Sequence, residues 1–169
     1  ETVKDSDMKR FANLDVVIAA NLTWGSMDSV LYTTVEVKRL GEERAFNAYP
    51  YKSVLDAGAV VSGATDYPAG AVPSPIAAYI VAVTRNSTDD PKMIRDPSQK
   101  MTVDEALRVL TYGGAYQMRQ EKFRGTIEVG KKADLIILDT NLLKSHSVKT
   151  LETKVLLNVI DGNVIYKAG

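Results

Sequence analysis

The sequence predicts an α/β fold in which a parallel sheet is followed by a small β unit, and three observations carry that prediction. Two nearly continuous apolar runs, residues 14–21 (LDVVIAAN) and 59–63 (AVVSG), read as strands covered on both faces, as strands of a parallel sheet are. Helix-like spacing lies between them, so the order strand, helix, strand with short connections describes a βαβ unit. From about residue 122 the texture changes to short β segments that end in a hairpin signal.

Each element follows from its residues. Residues 26–40 are ambiguous, because Val30, Tyr32, Thr33, Thr34, Val35 and Val37 are β-formers in a segment without clean alternation. Residues 42–46 and 51–57 carry helical spacing, interrupted by Pro50 and closed by Gly58 in the position of a helix C-cap. Pro73-Ser74-Pro75 opens a helix over about 76–84, since proline is tolerated in the first turn. Residues 86–100 (NSTDDPKMIRDPSQK) are polar and punctuated by proline, an exposed loop. Thr102 and Glu105 make a capping box for a helix with Val103, Ala106, Leu107 and Leu110 on one face, running to about Met118. Residues 125–132 read as a short strand and turn, 133–138 as a buried strand and 154–160 as another. Asp161-Gly162 joins the last of these to residues 163–166 as a two-residue hairpin.

Composition excludes several classes of function. The 169 residues, 45% of them apolar, suffice for one domain or a domain with a small appendage. Twenty-one basic residues balance 21 acidic ones, so no global field favours nucleic acid or an anionic membrane. No cysteine is present, which removes disulfides, thiolate chemistry and every cysteine-based zinc pattern and suits a cytoplasmic location. No apolar stretch approaches the roughly 18–20 residues of a membrane helix. The opening ETVKDSD has neither an initiator methionine nor a signal-peptide pattern, so the expectation is a chain that begins mid-gene.

The strongest catalytic candidate is Asp66, just past the second strand in VVSGATDYP, because ligands of parallel α/β sheets are met at the carboxyl ends of the strands. A carboxylate there can bind a metal or take a proton from metal-bound water. The local alternative is turn chemistry, the Asp66 oxygen accepting from a nearby backbone N–H, and it is the commoner use of aspartate. His146, the single histidine, has no metal-ligand companions and reads as an exposed loop residue. Arg85 could meet an anionic substrate or simply sit at a helix C-terminus. Trp24 lines a pocket or packs, Gly113-Gly114 marks close packing within a helix, and Lys131-Lys132 is a solvated turn.

Three stretches in order resemble the C-terminal part of metal-dependent amidohydrolases, in the branch called amidohydrolase family 3. They are RFANLDVVIAANLTW, then ERAFNAYPYKSVLDAGAVVSGATDYPAG with PSPIAAYIVAVTR, then MTVDEALRVLTYGGAYQMRQEKFRGTIEVGKKADLIILD with VIDGNVIY. The resemblance implies an α/β fold that is the C-terminal portion of a (β/α)8 barrel followed by a small β-sandwich portion. Residues 1–121 would supply late βα units and residues 122–169 the C-terminal strands of the sandwich. It implies hydrolysis of a C–N bond, amide or cyclic amide, in a small-molecule substrate by metal-activated water. Asp66 would be both catalytic acid–base and metal ligand, the divalent metal being zinc. The family's His-x-His pair and its other histidines would lie upstream of Glu1, in an N-terminal barrel half that this chain lacks. The expectation for these residues alone is therefore no turnover and no tightly bound metal, with exposed edges that allow a homodimer. The alternative is a noncatalytic regulatory or interaction module that retains the scaffold.

Overall fold

The computed structural model describes residues 1–28, 30–69 and 74–169. Two parallel strands, β1 (Ile18–Asn21) and β2 (Val61–Ala64), pair in the register Ile18↔Val61 to Asn21↔Ala64. Between them the chain runs through a 3-10 turn (Leu22–Gly25), a π-turn (Tyr32–Glu36) and the helices α2 (Val37–Leu40), α3 (Glu42–Phe46) and α4 (Tyr51–Asp56). The ambiguous segment 26–40 is thus helical from Tyr32 onward, while its residue 29 lies outside the described residues.

A helix absent from the sequence prediction, α1 (Asp5–Asn13), precedes β1 and explains why the strand starts four residues late. Asp15 sits in the left-handed region at φ 50°, its N–H bonding to the Ala12 carbonyl and that of Val16 to the Phe11 carbonyl. Residues 14–17 therefore close the helix in a Schellman arrangement before the strand begins. Gly58 does the same after α4 at φ 94°, with Gly58 N–H to Leu55 O and Ala59 N–H to Val54 O. This is the C-cap expected of Gly58.

Helix α5 (Pro75–Thr84) starts with Pro75 in its first turn, and the Ser74 hydroxyl accepts from the Ala77 N–H at 3.1 Å; Pro73 lies outside the described residues. Five of its residues, Ala78–Ala82, are buried, and it packs on the Leu22–Gly25 turn. The Thr102–Glu105 capping box forms as predicted and opens α6 (Val103–Arg108), which continues through a π-turn (Val109–Gly113) into α7 (Gly114–Gln117). Leu22, Val54, Val61, Tyr79, Ile80 and Val109 join strands and helices into one apolar core.

Gly113 is where the long helix meets β2. A Cβ there would lie 2.2 Å from the Val61 carbonyl oxygen and 3.0 Å from Ser62 Cα, whereas one at Gly114 would meet nothing within 4 Å. Both residues have helical dihedrals. Gly113→Ala is therefore expected to cost about 1–3 kcal/mol by forcing helix and strand apart. Gly114→Ala should be neutral or stabilising by up to about 1 kcal/mol. Denaturant midpoints of the two variants check this, and equal shifts would contradict the packing.

The C-terminal region holds an antiparallel sheet, β3 (Leu135–Leu138), β4 (Val155–Ile160) and β5 (Asn163–Lys167), in that order. Its hairpin turn is Asp161-Gly162 at φ 51° and 79°, the left-handed pair that a two-residue turn demands. Residues 125–132 form turns rather than the predicted strand. The strand within 133–138 is not buried either, Ile136 and Ile137 being 56% and 52% exposed. No residue from 151 to 169 is buried, so this sheet contributes apolar surface without a covering layer among the described residues. Among those residues no helix is long and apolar enough to cross a membrane.

Candidate active site

Because β1 and β2 run parallel, both end on the same side of the sheet. Asn21 closes β1 opposite Ala64, and Asp66 follows two residues later, so the two side chains belong to one rim. Asp66 and Asn21 line a cavity of about 350 Å³ together with Trp24, Tyr49 and Tyr51, with Glu1 and Val3 also on its wall. Sequence reasoning placed Asp66 and Trp24 as candidates, and the strand pairing brings them together.

Asp66 is exposed and takes φ 56°, a left-handed conformation that aspartate tolerates better than most residues. Turn chemistry would have its carboxylate accept from a nearby backbone N–H. Among the described residues it accepts no hydrogen bond. Asp66 thus combines a left-handed backbone with a carboxylate that has no partner among the described residues, at the rim of the cavity.

The wall behind the site rests on a buried network that the sequence did not reveal. Arg95, fully buried in the stretch predicted as an exposed loop, lies 2.6 Å from Glu36 through Nη2 and Oε2. Its Nη1 donates to the Trp24 and Ser26 carbonyls at 3.3 and 3.2 Å, and its Nη2 to the Ala45 carbonyl. The guanidinium also stands over the rings of Tyr32 and Tyr49, 5.0 and 4.8 Å from their centroids. Tyr49 completes the set by donating its hydroxyl to Glu36 Oε1 at 3.0 Å. Burial, and secondly the Glu36 charge, hold the Tyr49 phenol far above its usual range.

Arg85 belongs to the same network rather than to a substrate site. It is 2% exposed, and its Nε, Nη1 and Nη2 donate to the carbonyls of Arg95, Tyr49 and Ala48 at 3.1, 3.3 and 3.4 Å. Burial, followed by the Arg95 charge, pushes its pKa down to about 10, which leaves it cationic at neutral pH. Gly25 is needed beside it, since a Cβ there would lie 2.3 Å from Arg85 Nη1. The two arginines thus tie the turn carrying Trp24 to the segment carrying Tyr49. One arginine in a polar, proline-rich stretch offers no signal of burial, which is why composition misled.

His146 is exposed, with Nδ1 3.2 Å from the Tyr79 hydroxyl, which itself donates to the Leu142 carbonyl at 2.5 Å; it is not on the Asp66 cavity. Lys131 and Lys132 are not simply solvated. Lys131 donates to Thr126 at 2.6 Å, and Lys132 pairs with Asp161 at 2.9 Å, which bolts the 125–132 turns to the hairpin.

As to metals, Asp66 offers one oxygen donor, and zinc takes three or four. Among the described residues no three His, Cys, Asp or Glu side chains converge. These residues by themselves therefore do not fit a complete zinc site, and Asp66 fits one only as a single ligand.

Comparison with known proteins agrees with this architecture. The model of a family described as "Amidohydrolase family" matches residues 1–166. N-substituted formamide deformylase of Arthrobacter pascens is 30% identical over 163 residues, covering 94% of this chain and 28% of that protein. An imidazolonepropionase of Flavobacterium johnsoniae is 38% identical over 88 residues, covering 52% of this chain and 19% of that protein. The crystal structure of an uncharacterized metal-dependent hydrolase from Pyrococcus horikoshii superposes with a TM-score of 0.69 at 27% identity. That match covers 85% of this chain and 28% of the other. The chain thus spans under a third of the length of each of these relatives.

Proposed function

Since the chain belongs to the amidohydrolase family, we propose that it is the C-terminal part of a metal-dependent hydrolase cleaving the C–N bond of an amide or cyclic amide. Its relatives are hydrolytic enzymes, which supports the reaction class. The single observation that carries the assignment to this chain is Asp66: an open carboxylate at the end of the second of two parallel strands, facing a cavity. In this reading β1 is a late strand and β2 the eighth strand of a (β/α)8 barrel, whose ligands gather at that end. Residues from 122 onward form one part of a small β-sandwich, in keeping with the exposed Ile136, Leu156, Ile160, Val164 and Ile165. In this reading the remaining strands of the sandwich would cover these surfaces, and an upstream barrel half would complete the barrel around β1 and β2.

Asp66 would hold a divalent metal, expected to be zinc, together with donors from that upstream half. When bound, such an ion supplies a water acidic enough to act as nucleophile near neutral pH. The Asp66 carboxylate would accept the proton of the attacking water and return it to the departing nitrogen. The Asn21 amide, whose side chain has no hydrogen-bond partner among the described residues, is free to orient the substrate.

The full-length protein is expected to release amine from amides, to lose that turnover on chelation and to regain it with zinc. The 169 residues alone should retain no stoichiometric zinc, a single carboxylate being too few donors. Turnover that survives complete chelation would refute the proposal, and about one tightly held ion per 169-residue chain would refute the expectation that these residues alone hold no zinc.

A further inference from the structure

The cavity beside Asp66 presents rings more than polar groups. Tyr49 and Tyr51 both face it, yet both hydroxyls are already engaged, Tyr49 with Glu36 at 3.0 Å and Tyr51 with the Asn21 carbonyl at 3.4 Å. Burial raises both phenols well above their ordinary values, so neither is a ready acid or base at neutral pH. What they offer a ligand is aromatic surface. The Tyr49 ring is taken up by the Arg95 guanidinium at 4.8 Å and by Tyr51, its centroid 5.9 Å away, so it serves as backing. Phe11 is also on the wall but packs against the core, which leaves Trp24 and Tyr51 as the rings beside Asn21, and Arg95 holds the turn that carries Trp24 by its carbonyl.

Polar side chains on the wall are few. The side chains of Asp66 and Asn21 have no hydrogen-bond partner among the described residues, and Glu1 is exposed. A volume of about 350 Å³ lies within the range of small-ligand pockets. A cavity with aromatic walls and one polar rim suits a ligand with a planar apolar end and an amide at the other.

Resting on the hydrolase reading above, we propose that this site takes an amide whose nitrogen carries an aromatic ring, the ring lying against Trp24 and Tyr51 and the amide reaching Asn21 and Asp66. Trp24 is then a specificity-determining residue. A saturated ring of the same size fills the space but forgoes stacking, and the difference for a good aromatic contact reaches about tenfold in affinity.

The test uses the full-length protein with its metal chelated, so that binding is read without turnover, and calorimetry with acetanilide and N-cyclohexylacetamide. Acetanilide is expected to bind about five- to tenfold more tightly. Trp24→Ala should reduce the preference to less than about twofold, and Trp24→Phe, which keeps a ring, should retain most of it. Equal affinities in the parent protein, or a preference unchanged in Trp24→Ala, would overturn the inference. An aromatic preference in a protein that cleaves no amide when loaded with zinc upholds the aromatic site and counts against the hydrolase reading. Cleavage of amides without that preference does the reverse.

Discussion

Asp66→Asn in the full-length protein is expected to lower kcat by about 10²–10⁴-fold, the range of a lost general acid–base group, with little change in stability. The substitution keeps the side chain's shape and removes only its charge and basicity. Asparagine also tolerates the left-handed conformation that Asp66 adopts at φ 56°. Since Asp66 is exposed and makes no hydrogen bond among the described residues, stability should stay within about 0.5 kcal/mol of the parent's. Steady-state kinetics beside a denaturation curve separate the two effects. Turnover retained in this variant would remove Asp66 from the chemistry, and a large loss of stability would restore the turn role, for which no hydrogen bond is seen among the described residues.

Arg95→Met should have the largest effect on the fold, a loss of about 3–5 kcal/mol. Arg95 is completely buried, and its removal leaves the Glu36 carboxylate, itself 9% exposed, without a counter-charge. It also strips the donors from the carbonyls of Trp24, Ser26 and Ala45. Unpaired buried charge and unsatisfied carbonyls both carry desolvation penalties. Against a typical total of about 5–15 kcal/mol, such a loss is a large fraction. Glu36→Gln in the Arg95→Met background should recover part of it, because the stranded charge is then gone and the two positions are coupled. Guanidinium melts of the single and double variants measure this. A loss under about 1 kcal/mol for Arg95→Met would mean that the network is incidental to the fold. Because Arg95 also fixes the turn bearing Trp24, a folded Arg95→Lys protein should bind substrate less tightly, a lysine being unable to fork among several carbonyls.

Most of the local structure could be read from neighbouring residues. The Thr102–Glu105 box, the Pro75 helix start, the Gly58 cap and the Asp161-Gly162 turn all depend on interactions within a few positions, and each forms as expected. The errors arose where distant residues intervene. The strand at β1 is shortened because residues 14–17 cap α1, whose end is also held by Tyr116 and Arg119 bonding Asp15 at 2.7 and 3.2 Å from about a hundred positions away. β-formers at 30–37 are overruled by helical packing, and a polar loop turned out to bury Arg95.

The same division runs through the site. The sequence alone determined that a lone aspartate follows a buried strand and that its surroundings resemble an amidohydrolase, since strand signals, turn residues and family motifs are all local strings. Whether Asp66 serves a turn or a ligand depends on what its carboxylate touches, and the pairing of β1 with β2 across some forty residues is what sets it on the rim of the cavity. Only the tertiary structure could place Asn21, Trp24 and Tyr51 beside it, and only there do two buried arginines become the frame of the wall. The physical reason is that burial and desolvation belong to the packed chain: a charge costs little in a sequence, and its partners are decided by what folding brings within a few ångströms.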